Sequence, residues 1–172
     1  DGVEVMNGGE FYPRVIDYAI EQGVFIASNT DIHGSSAEEY FVTTEGAVMR
    51  NMTFILAKDN SLESLKEALK ARRTLAYSFG TIAGEESLLK AFFKASIATK
   101  VIYTNPSNGN RTVRLTNTSS IPYTFRIGGG NITTLKAFSS VQTTVAKDGK
   151  IVVKVENMWS GKDSHPEVEL TF

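Results

Sequence analysis

Apolar residues recur along the chain with two different periods, and the period changes near residue 95. Before this point, short apolar runs alternate with segments in which apolar residues have helical spacing. Beyond it the period is two, as in β-strands with one buried face. We therefore expect two domains, residues 1–96 and residues 97–172.

The start of the chain predicts a β-α-β unit. A β-type run at residues 3–6 leads to Pro13, which is well suited to the first turn of a helix. The following apolar stripe ends at Gly23, in the usual position beyond a last helical turn. The run at residues 24–27 is fully apolar and predicts a strand that is covered on both faces. Such a unit implies parallel strands with a right-handed crossover.

The alternation of strands and helices continues further along the first half. It predicts a strand at residues 52–57, a helix that starts at Asn60 or Ser61, a strand at residues 74–77 and a helix over residues 85–95. This succession predicts an α/β fold.

The second half predicts a small antiparallel β-sandwich. Alternating or β-branched runs occupy residues 112–116, 123–127, 151–155 and 168–172. Glycine-rich and asparagine-rich turns separate them at regular spacing.

Composition narrows the classes of function. The net charge of −1 with mixed signs gives no indication of a nucleic-acid partner or an anionic membrane surface. No apolar stretch is long enough to span a bilayer. The absence of cysteine excludes disulfides, thiolate zinc sites and a cysteine nucleophile.

Asp31 and His33 are the strongest candidates for chemistry. They follow an apolar strand and precede Gly34. Residues i and i+2 of an extended segment point to the same side, so both side chains can approach one ion. A carboxylate and an imidazole suit Zn²⁺, Mn²⁺ or Fe. The alternative is an ordinary hydrogen-bonded strand end, since Asp-x-His is a short pattern.

The sequence Thr-Asp-Ile-His-Gly at residues 30–34 resembles the Ser/Thr-Asp-x-His-Gly strand of the PHP (polymerase and histidinol phosphatase-like) metallo-phosphoesterases. Residues 2–8 are similar to the penultimate barrel strand of that family, and residues 65–76 are similar to one of its late helix–strand segments. The resemblance covers roughly residues 1–95. It is closer to exported members with a β-rich C-terminal domain than to polymerase-associated ones, which favours a periplasmic or exported protein.

The resemblance implies the C-terminal part of a β/α (PHP-type) barrel over residues 1–96, followed by a β-sandwich accessory domain at residues 97–172. It also implies hydrolysis of a phosphate mono- or diester by metal-activated water. Asp31 and His33 would be metal ligands, with Zn²⁺, Mn²⁺ or Fe as the ions and Mg²⁺ as an alternative. The expected substrate of the full-length protein is a phosphorylated small molecule.

Asn7 and Arg73 are the candidate substrate-binding residues. Asn7 ends the neighbouring strand and would face the same opening of the barrel as Asp31 and His33. The alternative is a turn-forming role. Arg72 and Arg73 carry the paired donors that bind phosphate. Alternatively they end a helix, where the dipole favours cations, and we expect this role for at least one of them.

The other ligands of the family are absent from this sequence. Its early motifs supply a His-x-His pair, further histidines and a glutamate, whereas His165 is the only other histidine here and is expected to be a solvated loop residue. Asp31 and His33 therefore supply two ligands of an incomplete site. We expect a fragment without the N-terminal part of the barrel, inactive alone. Association with another copy is one way to cover its exposed strand edges.

Two classes of function compete. The first is part of a metal-dependent phosphoesterase. The second is a non-catalytic β-sandwich module attached to a degenerate PHP remnant, which binds a carbohydrate, a protein or a cell surface. Trp159, Tyr123 and Phe125 are candidates for a sugar-stacking patch, although packing in the core is the commoner role of such residues.

Overall fold

The computed structural model describes residues 1–35, 41–42 and 48–172. The described helices are α1 (Pro13–Gln22), α2 (Leu62–Lys70) and α3 (Glu86–Ser96). None of these helices combines the length and the apolar character needed to cross a membrane. The described strands are β1 (Gly2–Asn7), β2 (Glu10–Phe11), β3 (Phe25–Asn29), β4 (Phe41–Val42), β5 (Val48–Met49), β6 (Met52–Ile55), β7 (Thr74–Ser78), β8 (Thr81–Gly84), β9 (Ile97–Thr104), β10 (Arg111–Asn117), β11 (Tyr123–Ile127), β12 (Thr133–Leu135), β13 (Ser140–Val145), β14 (Lys150–Val155), β15 (Met158–Trp159) and β16 (Glu167–Thr171).

The chain divides into two compact units. Unit 1 comprises Asp1–Leu89 and Met158–His165, and unit 2 comprises Lys90–Asn157 and Pro166–Phe172. Unit 1 thus includes a short segment from late in the sequence, in which β15 pairs in parallel with β8. The domain boundary between residues 96 and 97 stays a prediction.

The β-α-β unit predicted for the start of the chain is present, since β1 and β3 pair in parallel and α1 lies between them in sequence. Pro13 begins α1, and Gly23 ends it in the left-handed conformation at φ 65°. The Gly23 N–H donates to the carbonyls of Ala19 and Ile20. Two carbonyls of the last helical turn therefore have a hydrogen-bond donor. Ile16 and Ala19 are buried on the inner side of the helix.

The predicted α/β architecture with the C-terminal part of a β/α barrel is wrong. Such a barrel needs parallel strands, whereas β6, β7 and β8 pair antiparallel within the sheet β15-β8-β7-β6. Only Phe79 and Gly80 connect β7 to β8, and so short a connection permits antiparallel pairing alone. Their φ values of 47° and 85° are the positive values of a type I′ hairpin turn. Within the described ranges, parallel pairing is confined to β1 with β3 and β8 with β15.

Two threonine hydroxyls attach β3 to its neighbouring sheet in unit 1. The Thr74 hydroxyl accepts from the Ile26 N–H at 3.2 Å and donates to the Ile26 carbonyl at 2.8 Å. Thr53 makes the same pair of contacts with Ser28, at 2.9 and 3.1 Å. The Ser28 hydroxyl in turn donates to the Tyr77 carbonyl at 2.9 Å. These side chains take the place of a neighbouring strand along that edge of β3.

Unit 2 is formed mainly by two antiparallel sheets, β13-β10-β9 and β12-β11-β14-β16. Val113, Leu115, Tyr123 and Phe125 are buried within it. The Phe93 ring of α3 meets the Tyr123 ring edge-on, with centroids 5.1 Å apart. This β-rich unit fits the predicted sandwich. The burial of Tyr123 and Phe125 assigns both residues to the core and not to a sugar-stacking patch.

Replacement of Thr74 tests the hydroxyl attachment. Thr74→Val keeps the shape of the side chain but leaves the N–H and the carbonyl of Ile26 without a partner. Thr74 is 1% exposed. Because each buried polar group left unsatisfied costs about 1–3 kcal/mol, we expect the free energy of unfolding to fall by about 2–4 kcal/mol in chemical denaturation. Thr81→Val in β8 is the matched control, since the Thr81 hydroxyl has no partner among the described residues. Equal destabilisation by both substitutions would contradict the role of Thr74.

Candidate metal site

The carboxyl ends of β1 and β3 lie side by side. Asn7 is opposite Asn29 in the parallel register, and the Gly8 N–H donates to the Asn29 carbonyl at 3.0 Å. Both strands therefore end at the same edge of the sheet, which is where sites are built between parallel strands. Asp31 lies two residues beyond the end of β3, at this edge.

Asp31 and His33 lie close to each other in the structure. The His33 Nε2 atom is 4.0 Å from the Asp31 Oδ1 atom, and the side chains are 84% and 60% exposed, respectively. Two ligands of one tetrahedral ion with bonds of about 2.0–2.2 Å have donor atoms roughly 3.3–3.6 Å apart. A small side-chain rotation would thus bring both donors to one ion. Their exposure leaves both donors accessible to ligands from solvent.

The backbone brings these residues together in a different way from the one expected. An extended segment was expected to place residues i and i+2 on one side, but β3 ends at Asn29 and Asp31 has a φ of 55°. This left-handed conformation is uncommon for a residue other than glycine, and Asp and Asn tolerate it best. A turn at Asp31, and not the strand, therefore places the two side chains near each other. Strained backbone of this kind is frequent at functional sites.

Glu4 organises the two strand ends. Its Oε2 atom accepts a hydrogen bond from Asn7 Nδ2 at 2.9 Å, and its Oε1 atom accepts one from Asn29 Nδ2. Glu4 is half-buried, whereas Asn29 is exposed. Because Glu4 alternates with Val3 and Val5 in the sequence, the pattern there predicts a strand residue rather than a ligand. The signal for this role of Glu4 is the pair of asparagines at the ends of two neighbouring parallel strands. The pair can be recognised only when the strand register is known.

Arg72 and Arg73 lie at the carboxyl end of α2. Arg72 has a φ of 58° and Arg73 N–H donates to the Ala68 carbonyl, as at many helix ends. The Arg73 guanidinium donates to the Leu56 carbonyl at 3.1 Å and pairs with the Glu67 carboxylate. The hydrogen bond from Arg73 holds the pKa of Glu67 below its ordinary value. Both arginines thus lie just beyond the end of α2, whereas a dipole role for either of them and the contact of Arg73 with substrate stay predictions.

The donor types fit a transition-metal ion, but their number does not complete a site. Within residues 1–35, 41–42 and 48–172, no three side chains of His, Asp or Glu are grouped so that they could hold a metal ion. Structural and catalytic zinc sites take at least three protein ligands. Asp31 and His33 are therefore two candidate ligands, and the described residues alone do not form a metal centre.

His165 is less exposed to solvent than the sequence indicated. Its ring Nδ1 atom is 2.7 Å from the Met158 carbonyl oxygen, and its ring centroid is 4.4 Å from that of Trp159. Trp159 also meets the Phe11 ring edge-on, at 5.5 Å. The expectation of a solvated loop residue is wrong, since this histidine packs in unit 1 with the late strand β15.

No protein-family model matches the chain, and no curated protein matches it. The chain is similar to a solved structure, the crystal structure of a two-domain protein from Bacteroides vulgatus that contains a predicted PHP-like metal-dependent phosphoesterase. The two share 25% sequence identity with a TM-score of 0.87, and the match covers 99% of this chain and 52% of the other. This chain thus spans about half the length of the protein to which it is similar.

The comparison supports the resemblance to PHP-like proteins at a coarse level. Nearly the whole chain is similar in fold to part of a protein that contains a predicted metal-dependent phosphoesterase.

Proposed function

We propose that this chain is part of a metal-dependent phosphoesterase, in which Asp31 and His33 supply two metal ligands and the remaining ligands come from outside the described residues. The observation that carries the proposal is the Asp31–His33 pair, 4.0 Å apart at the joint end of two parallel strands. The similarity to a protein with a predicted phosphoesterase supports the class of reaction. Metal ions in such enzymes lower the pKa of a bound water and stabilise charge on phosphoryl oxygens.

The residues at the carboxyl ends of β1 and β3 have different roles in this proposal. Asp31 offers a carboxylate oxygen and His33 an imidazole nitrogen. Glu4 is a positioning residue, because it holds Asn29, two positions before Asp31. The Asn7 amide nitrogen donates one of its two hydrogens to Glu4, so its second N–H is the donor that remains for a phosphate oxygen of the substrate.

Arg73 lies at a different place from the proposed metal ligands. Its guanidinium is paired with Glu67 and bonded to Leu56, and the next residue, Thr74, is bonded to Ile26 near the amino end of β3. A substrate contact of Arg73 stays a prediction, whereas Asn7 lies at the same sheet edge as Asp31.

The 172-residue chain alone is expected to hydrolyse neither p-nitrophenyl phosphate nor bis(p-nitrophenyl) phosphate, because its described residues bring together only two ligands and its sequence has no histidine besides His33 and His165. The assay measures release of p-nitrophenol with Mn²⁺, Zn²⁺ or Mg²⁺ in separate reactions. Turnover that Asp31→Ala abolishes would show that the site in this chain is complete, contrary to the proposal.

In a longer protein that contains these residues, Asp31→Ala and His33→Ala are expected to reduce bound metal and activity together. Loss of a residue that only orients a ligand typically costs about 10–100-fold in metal affinity, so we expect a loss in that range for Glu4→Ala and a larger one for either ligand. Metal content by elemental analysis and phosphodiester turnover are the two measurements.

Asp163→Ala is the matched control for the loss of one carboxylate, since the Asp163 side chain is 81% exposed and its one ion pair among the described residues is with Lys162. Full metal content and full activity in both ligand variants would refute the assignment of Asp31 and His33. A protein with neither bound metal nor activity under any of the three ions would favour the non-catalytic module instead.

A further inference from the structure

The sheet β13-β10-β9 presents one largely polar face to solvent. Val113 and Leu115 of β10 are buried, so the alternate residues 112, 114 and 116 point to the opposite side. The register of the neighbouring strands extends this face on both sides. We call it the cationic face, and it comprises Ala98, Lys100, Tyr103, Thr112, Arg114, Thr116, Ser140, Gln142 and Thr144.

Two like charges are directly opposite each other on this face. Lys100 is the cross-strand partner of Arg114 in the antiparallel pair β9–β10. Both side chains are exposed, and within the described part of the chain neither has a hydrogen bond or an ion pair. The cationic face contains no Asp or Glu, although the whole chain has more acidic than basic residues. Like charges in this position destabilise a sheet, and an anion between them would relieve the repulsion.

An aromatic side chain lies beside the two cations. Tyr103 is 55% exposed and is opposite Thr112, which is two residues from Arg114 along β10. Two residues of a strand span roughly 6.4–6.8 Å, which is close to the length of one sugar ring with its substituent. A ring stacked on Tyr103 would thus place a carboxylate near Lys100 and Arg114.

The remaining residues of the face offer hydroxyl and amide groups in rows. Thr112 is opposite Thr144, and Arg114 is opposite Gln142. The Thr116 and Ser140 hydroxyls are 2.9 Å apart and bond each other across the strands. Such groups both donate and accept hydrogen bonds, as sugar hydroxyls do.

We propose that the cationic face binds an anionic polysaccharide, with a sugar carboxylate between Lys100 and Arg114 and a sugar ring against Tyr103. Two cations on a chain of net charge −1 are too few for a nucleic-acid backbone, which is typically bound through many Lys and Arg contacts. An anionic polysaccharide needs fewer charged contacts, because hydrogen bonds to its hydroxyl groups and stacking of its rings contribute the remaining binding free energy.

Affinity electrophoresis of the whole chain in native gels tests this proposal, with polygalacturonate as the probe and dextran as the neutral comparison. We expect retardation by polygalacturonate alone, weaker at high salt. Arg114→Gln, which removes a charged contact, and Tyr103→Ala, which removes the stacking ring, are each expected to weaken binding by at least about tenfold. Lys147→Gln makes the same charge change at an exposed turn of unit 2 and should bind like the unaltered chain.

Arg114→Gln also serves as a check on folding. Because it removes one of two opposed cations, its thermal midpoint should equal or exceed that of the unaltered chain. No retardation by polygalacturonate would overturn the proposal, and so would equal weakening by Lys147→Gln. Preferential binding to phosphatidylglycerol vesicles or to oligodeoxythymidylate would also overturn it, by showing a different class of partner.

Discussion

Strand β3 is held on one side by main-chain hydrogen bonds to β1 and on the other by the hydroxyls of Thr53 and Thr74. Each hydroxyl accepts from one N–H and donates to the carbonyl of the same residue, so the free edge of β3 keeps its backbone groups satisfied. A strand edge buried without such partners would cost about 1–3 kcal/mol for each group. These two side chains therefore fix the position of β3 relative to β6 and β7 within unit 1.

The candidate site depends on that position, because Asp31 and His33 follow directly from β3. Two further local features orient them: the left-handed turn at Asp31, and the Glu4 carboxylate that holds Asn29 next to β1. Rigid strands thus support two exposed donors at the sheet edge. The described residues bring no third metal donor to this pair, so the proposed hydrolysis needs further ligands from outside them.

Local signals in the sequence predicted the helices well, since features such as Gly23 after α1 act on the backbone beside them. The direction of the later strands was not predictable in this way. The β7–β8 turn has Phe79 in a conformation that Asn or Gly usually takes, so its hairpin carries no recognisable signal. The pairing of β15 with β8 joins distant residues, for which no local pattern exists. At the site, the Asp-x-His spacing at a strand end and the family resemblance made Asp31 and His33 candidates, whereas the role of Glu4 depends on the strand register.

The most direct test of this account is a crystal structure of a longer protein that contains these residues, grown with Mn²⁺ and measured at a wavelength where manganese scatters anomalously. The account predicts an anomalous peak about 2.0–2.3 Å from both the Asp31 carboxylate and the His33 imidazole. It also predicts that Glu4 remains bonded to Asn7 and Asn29 and does not bind the ion. An active protein whose manganese lies far from both Asp31 and His33 would contradict the account.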